Sequence, residues 1–296
     1  PPAGAQEHLS IPFGSADHAR PNVQSVEPIG IHPVYDIYPN DPYFQGQADP
    51  WNQWGLHMST DHDIDAPCAW QINPGNTGVK MAILDTGVRY YHKDLGGSTW
   101  PTTTGNIWIN SGEIAGNGID DDGNGFVDDW IGWDWVTGIT GCMSGEDCST
   151  TDNDPRDFAG HGTHVAGIAG AMTNNARGVA GVAGGWGDGT VNSIGNGAKI
   201  MCLRIGWLAS SGAGYVNMSF AAQAMYYAAN KGATSANCSW GSSNSGGFAA
   251  AVNYAIAHNV VICHAAGNSN NQVADYLASR TDILDVHVLR QNLKGR

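Results

Sequence analysis

At 296 residues, 42% of them apolar and 14% charged, the chain can form one large domain or two small ones around a sizeable core. Its 41 glycines and 11 tryptophans mark a loop-rich globular protein rather than a disordered one. A net charge of −14, from 13 basic against 27 acidic residues, argues against nucleic acid as a partner and suits solubility and divalent cations.

The chain opens on Pro1-Pro2-Ala3 with neither Met nor a signal peptide, so a start partway through a precursor, or processing, is expected. Residues 1–38 are proline-rich and lack a long periodic segment, and they read as a propeptide remnant or a linker. Val79 to Gly87 is an apolar run between turn glycines that ends in Asp85, which predicts a buried strand with a carboxylate at its C-terminal end. Open α/β sheets bind their ligands at that end.

A stretch rich in Gly, Asp, Thr and Trp follows at about 96–155. Within it Asp120, Asp122 and Asn124 alternate like the first ligands of a calcium loop, with Gly125 at the turn and Asp128 beyond. The closing acidic ligand of an EF-hand is missing, because Ile131 stands there; an Asp/Gly turn cluster is the other reading. Cys142 and Cys148 bound a short polar loop that reads as disulfide-closed in an extracellular protein, while Cys202 and Cys263 sit in apolar runs as buried free thiols.

Gly160-His161-Gly162-Thr163-His164-Val165-Ala166-Gly167 then starts a helix that is apolar on every side through Met172, which predicts burial all round. Beyond it come a strand at 198–205, a helix from Ser219 (as N-cap) to Lys231, a strand at 234–240, an alanine-rich helix at 246–258 and a strand at 260–267. This alternation demands a mostly parallel sheet with helices on both faces.

The Asp85 strand and the His161 segment, in that order, resemble the subtilisin-like serine proteases (subtilases) over residues 39–285. The resemblance implies a three-layer α/β fold with its C-terminal part missing, residues 39–296 being the N-terminal part of a catalytic domain. It implies a secreted, monomeric endopeptidase with an Asp-His-Ser triad, an extended peptide as substrate and its own propeptide as partner. His161, not His164, is then the base, with His164 turned inward, and Asp85 orients it. Asn268, in Ala265-Ala266-Gly267-Asn268, matches the oxyanion-hole amide. Ser239, Trp240 and Gly241 match the substrate strand, with Ala265, Ala266 and Gly267 as the facing wall of the S1 pocket. Ser211 to Gly214 is a candidate second edge for the peptide, with a plain Gly/Ser loop as the other reading, and Asp275 lies near where the family lines the base of S1, where a carboxylate would select basic residues; a solvated loop Asp is the other reading. Asp65 and Pro67 resemble the start of the first helix of the family domain, with Asp65 as N-cap.

A structural calcium ion is also implied. Its ligands would be Asp41, Asp94 and Asn175, completed by carbonyls of Met172 or Thr173, Arg177 and Val179. One departure stands against activity: the family's Gly-Thr-Ser nucleophile motif occurs nowhere in the 296 residues. The resemblance also stops at His287. Two expectations follow, a cut-short piece of an active peptidase, or an inactive, vestigial protein that at most binds peptides.

Overall fold

A computed structural model of the chain describes residues 36–45, 53–58, 63–97, 103–268 and 275–286. Most of the 1–38 segment, and Ser269 to Ala274, lie outside the described residues. The main sheet has six parallel strands in the order β2-β3-β1-β6-β7-β8. These are β1 (Lys80–Asp85), β2 (Gly132–Asp134), β3 (Lys199–Arg204), β6 (Ser235–Cys238), β7 (Val261–Ala265) and β8 (Leu284–Val286), while β4 (Gly206–Leu208) and β5 (Gly214–Val216) form a separate antiparallel hairpin. Among the described residues the α-helices are α1 (Pro42–Gln45), α2 (Ala66–Ile72), α3 (His161–Gly170), α4 (Met218–Asn230) and α5 (Phe248–Ala257).

Alternation along the strands sorts the side chains of the sheet into two cores, one on each face, beside a smaller cluster of Phe44, Leu56, Ala66, Trp70 and Ala180. Ala82, Leu84, Met201, Leu203, Ala236 and Ile262 join the packing with α4 and α5. Ile83, Ile200 and Cys202 face the other way, with Ala166 of α3. Asp85 follows the parity of Ile83, so the strand itself directs its carboxylate toward the α3 face. The expected layers are thus observed. The glycine- and tryptophan-rich stretch is wound onto the β3 side, where Gly132–Asp134 extends the sheet and Ile107 bridges to Ile200.

Three local expectations are corrected. Asp65 has left-handed backbone and makes no side-chain cap; Asp63 Oδ1 instead accepts the Asp65 N–H. Asn217, not Ser219, caps α4, accepting the N–H groups of Ser219 and Phe220. α3 buries only a stripe, Gly162, Ala166 and Gly170. Its outer face, with Ile168 49% exposed, lines a groove of about 840 Å³ walled by Trp54, Leu56, Ile64 and Val182. A short helix packed on a sheet buries one face only, so an all-apolar sequence does not guarantee an all-buried helix. Cys142 and Cys148 are bonded as expected. Cys202 is a buried free thiol, whereas Cys263 is only half-buried; Cys68 and Cys238 are also free.

α3 approaches β1 closely because Gly162 has no side chain: a Cβ there would lie 2.1 Å from the Gly87 carbonyl oxygen. The same helix has open space at Gly167. Gly162→Ala is therefore expected to destabilise by about 1–3 kcal/mol through overpacking, while Gly167→Ala gains up to about 1 kcal/mol of helix propensity. Urea unfolding of both variants checks the pair; equal effects would overturn the close-approach account.

Candidate active site

Asp85 ends β1 and His161 begins α3, and the two meet. His161 Nδ1 lies 2.7 Å from Asp85 Oδ1, which also accepts the Thr86 N–H at 2.7 Å. Asp85 is 1% exposed, whereas the His161 side chain is about half open to solvent. This is the arrangement of an oriented general base: Nδ1–H donates to the carboxylate, leaving Nε2 free to take a proton. The hydrogen bond to Asp85 holds the His161 pKa above its ordinary 6.5; burial opposes this, and the charges of Asp85 and Asp157 add to it. His164 lies three residues on and is exposed on the groove side of α3, not turned inward, with no recorded contact to Asp85.

Asp157 has a role that the motif reading missed. Buried at 2% exposure, it accepts the Thr86 hydroxyl at 3.0 Å, the Gly160 N–H at 2.9 Å, and the Thr163 N–H and hydroxyl at 2.9 and 2.6 Å. Thr86 Oγ1 in turn accepts the Gly162 N–H at 3.0 Å. One carboxylate thus satisfies the open N–H groups at the start of α3 and ties them to the residue after Asp85. The available signal was an Asp a few residues before the helix start.

The remaining predicted residues line the same carboxyl edge of the sheet on successive strands. Ser239, Trp240 and Gly241 follow β6, and Ala265 to Asn268 end and follow β7. Asn268 is exposed. The Trp240 side chain turns into the structure: its Nε1–H donates to the Leu84 carbonyl at 2.6 Å and its ring packs near Phe248. Ser211 to Gly214 is the exposed end of the β4–β5 hairpin. The hairpin is braced by the disulfide loop, where the Met143 N–H donates to Leu208 and Glu146 accepts the Leu208 N–H. Asp275 is already engaged, accepting the Ser242 N–H and hydroxyl and the Ala278 N–H at 2.8–3.0 Å.

The three residues expected around calcium come together from distant stretches. Asp41, Asp94 and Asn175 are all buried. Asp41 accepts the N–H groups of Asn174 and Asn175 at 2.6 and 3.4 Å, and Asp94 accepts the Asn175 amide at 3.1 Å and the Val179 N–H at 2.8 Å. Burial raises Asp41 from 3.8 to about 7 against those N–H donors, with Asp94 adding to the rise, and burial likewise raises Asp94. In the Asp/Gly loop the residues divide. Asp120 and Asp122 converge with Glu113, ligand atoms within 4.8 Å. Asp122 also pairs with Lys231. Asp128 turns away to accept the N–H groups of Gly116, Asn117 and Gly118, and Asn124 donates to Asp129.

With its raised pKa, the Asp85–His161 pair adds stability that is full below pH 6.5 and is lost as pH rises through the His161 midpoint. Asp85→Asn removes the dominant cause, so His161 should then titrate lower than in the wild type. NMR titration of the His161 ring reads this directly; an unchanged midpoint would overturn the orienting role of Asp85.

Residues 76–288 match the model of the subtilase family. Thermitase of Thermoactinomyces vulgaris is 32% identical over 255 residues, which is 86% of this chain and 66% of that protein. The thermophilic serine proteinase of Bacillus sp. (strain AK1) is 31% identical over 255 residues, 86% of this chain and 46% of its own length. Among solved structures, Sphericase matches at 27% identity over 74% of this chain and 56% of that one, with a TM-score of 0.49. The chain thus spans about half to two thirds of the relatives it matches, and with most of its length under the family model it belongs to the subtilase family.

Proposed function

We propose that this chain carries the acid–base half of a secreted serine endopeptidase. The observation that carries the reading is the 2.7 Å contact between His161 Nδ1 and the buried Asp85 at the carboxyl edge of a parallel sheet. His161 Nε2 takes the proton of a serine hydroxyl as it attacks the peptide carbonyl, and returns it to the leaving amine. Asp85 holds the tautomer and stabilises the imidazolium. Asn268 donates to the developing oxyanion. An extended peptide pairs with the backbone of Ser239, Trp240 and Gly241, with Ala265, Ala266 and Gly267 opposite and Ser211 to Gly214 as a second edge. The Cys142–Cys148 bond supports an oxidising, extracellular setting. Own propeptide and monomeric state belong to the same proposal.

The nucleophile is the open part. No Gly-Thr-Ser occurs in the sequence, and among the described residues no group hydrogen-bonds His161 Nε2. The second reading is that the 296 residues by themselves form an inactive module that at most binds peptides. Joined to a family-type segment bearing the serine, the chain should hydrolyse peptides and be blocked by serine-directed acylating reagents. His161→Ala or Asp85→Asn should then each cost about 10⁴-fold or more in kcat. Activity untouched by His161→Ala would refute the assignment; no activity in the joined protein supports the second reading.

We further propose a structural calcium ion at Asp41, Asp94 and Asn175. Two buried carboxylates are the hard oxygen donors that carry this proposal; the Asn175 amide, which donates to Asp94 while its oxygen accepts the Arg177 N–H, would turn to offer that oxygen, and loop carbonyls at Met172 or Thr173, Arg177 and Val179 would add. Raised carboxylates mean that, without a cation, stability is greatest below pH 3.8 as far as Asp41 is concerned and falls as pH rises through about 7. Calcium should remove that loss, raise Tm by mass action, and release protons on binding near pH 7, about half of one from Asp41 alone. Calorimetry in buffers of different ionisation enthalpy counts the protons. A Tm shift that survives Asp41→Ala/Asp94→Ala refutes the site, and one abolished by Asp120→Ala/Asp122→Ala places the ion in the Asp/Gly loop.

A further inference from the structure

His264 is 1% exposed and stands one residue before the wall at Ala265. It shares the parity of Ile262, on the α4/α5 side of the sheet. Cys238↔His264 is the last register pair between β6 and β7. Beyond it the two strands part, and Ala266 donates instead to Val286 of β8. The Trp240 carbonyl is past the ladder on the parting side, and the ring of His264 takes over: Nε2 lies 3.0 Å from it and 3.2 Å from Asp275 Oδ2. On the other side Nδ1 lies 3.1 Å from Asp285 Oδ1 of β8. Three acceptors therefore face two ring nitrogens.

A neutral imidazole offers one donor. With that donor on Nε2 for the Trp240 carbonyl, the Nδ1–Asp285 contact closes only if one more proton is held between them. Burial works against the charge of Asp275, yet the N–H groups of Ala278 and Ser242, the Ser242 hydroxyl and His264 outweigh it and hold its carboxyl below 3.8. Asp275 thus remains an acceptor. The neighbour on β6 is Cys238, whose thiol burial raises well above its usual range, so it stays neutral. Among the described residues, Asp275 from the 275–279 turn and Asp285 from β8 are the charged groups in contact with the ring.

We propose that His264 is a positioning residue for the peptide site: held between Asp275 and Asp285 with its donor on Nε2, the ring pins the Trp240 carbonyl and fixes the spacing of the two walls, Ser239 to Gly241 and Ala265 to Gly267. This rests on the reading of those segments as peptide walls. The ring replaces a ladder hydrogen bond at the place where the sheet must open. Asp275 extends the clamp to Ser242, whose hydroxyl accepts the Leu277 N–H at 2.7 Å.

The test is the hydrogen-exchange protection of the Ser242 and Leu277 amides in the 296-residue chain. In the wild type at neutral pH both should be protected at least about tenfold more than in His264→Ala. Asp285→Asn supplies a permanent N–H to Nδ1 and so keeps the donor on Nε2; it should match or exceed the wild type. Wild-type protection in His264→Ala, or lost protection in Asp285→Asn, overturns the proposal. The ¹⁵N shifts of the wild-type ring need no variant: an unprotonated Nε2 at neutral pH also overturns it. A blocked tetrapeptide added to the same samples separates the two readings. If it leaves the amides of Ser239, Trp240 and Gly241 unshifted while the protection of the variants differs as stated, the peptide-wall reading fails and the clamp on Trp240 stands.

Discussion

The strict two-residue alternation of β1, a strand paired on both sides and covered on both faces, is the constraint on which the structure depends. β3 and β6 occupy its edges in parallel register, so the strand cannot slip by one residue without turning its whole side-chain set over. Leu84 is locked into the α4/α5 core and Asp85 into the α3 face by the same register. A site built at the end of such a strand inherits the rigidity of the core. The approach of α3 through Gly162, and the fourfold use of Asp157, then set how far the imidazole stands from its carboxylate.

The neighbouring strand end bears a heavier electrostatic load. Arg204 is paired in register with Asp85, is itself fully buried, and binds both Asp134 of β2 and Glu146 of the disulfide loop. Breaking a buried pair by removing one partner costs about 3–5 kcal/mol, because the other charge is left stranded. The guanidinium thus fastens the outermost strand, the loop bounded by Cys142 and Cys148 and the β4–β5 hairpin to one point beside the Asp85 carboxylate. The Phe158 ring lies over the same guanidinium, 5.5 Å from it, which links that point to the segment leading into α3.

Much of this was legible in the sequence. The alternation of apolar runs with alanine-rich segments gave the parallel sheet, and Asp85, His161 and the Asp41–Asp94–Asn175 cluster were found from short motifs scattered across the chain. What stayed hidden were choices among equivalent polar residues. Asp63 against Asp65, and Asn217 against Ser219, differ by backbone dihedrals that composition does not encode. Asp157 carries no motif of its own, and its partners, Thr86 and Thr163, are brought to it only by folding. His164 misled because an apolar sequence does not say which stripe of a helix meets the sheet. His264 escaped notice inside a strand whose other residues are apolar, since its acceptors come from β8, the 275–279 turn and the segment after β6.

The groove along the outer face of α3 has a colloidal consequence. Trp54, Ile64 and Ile168 present apolar surface to water on a chain whose net charge of −14 holds copies apart at low ionic strength. At physiological salt the screening length falls to about 8 Å, and long-range repulsion between molecules fades while the attraction of apolar surfaces does not. Near the isoelectric point of about 4.9 the repulsion vanishes altogether. The acidity of this chain is thus also a solvent-dependent barrier between copies, and dilute alkaline buffer and concentrated acidic salt mark the two ends of its solubility.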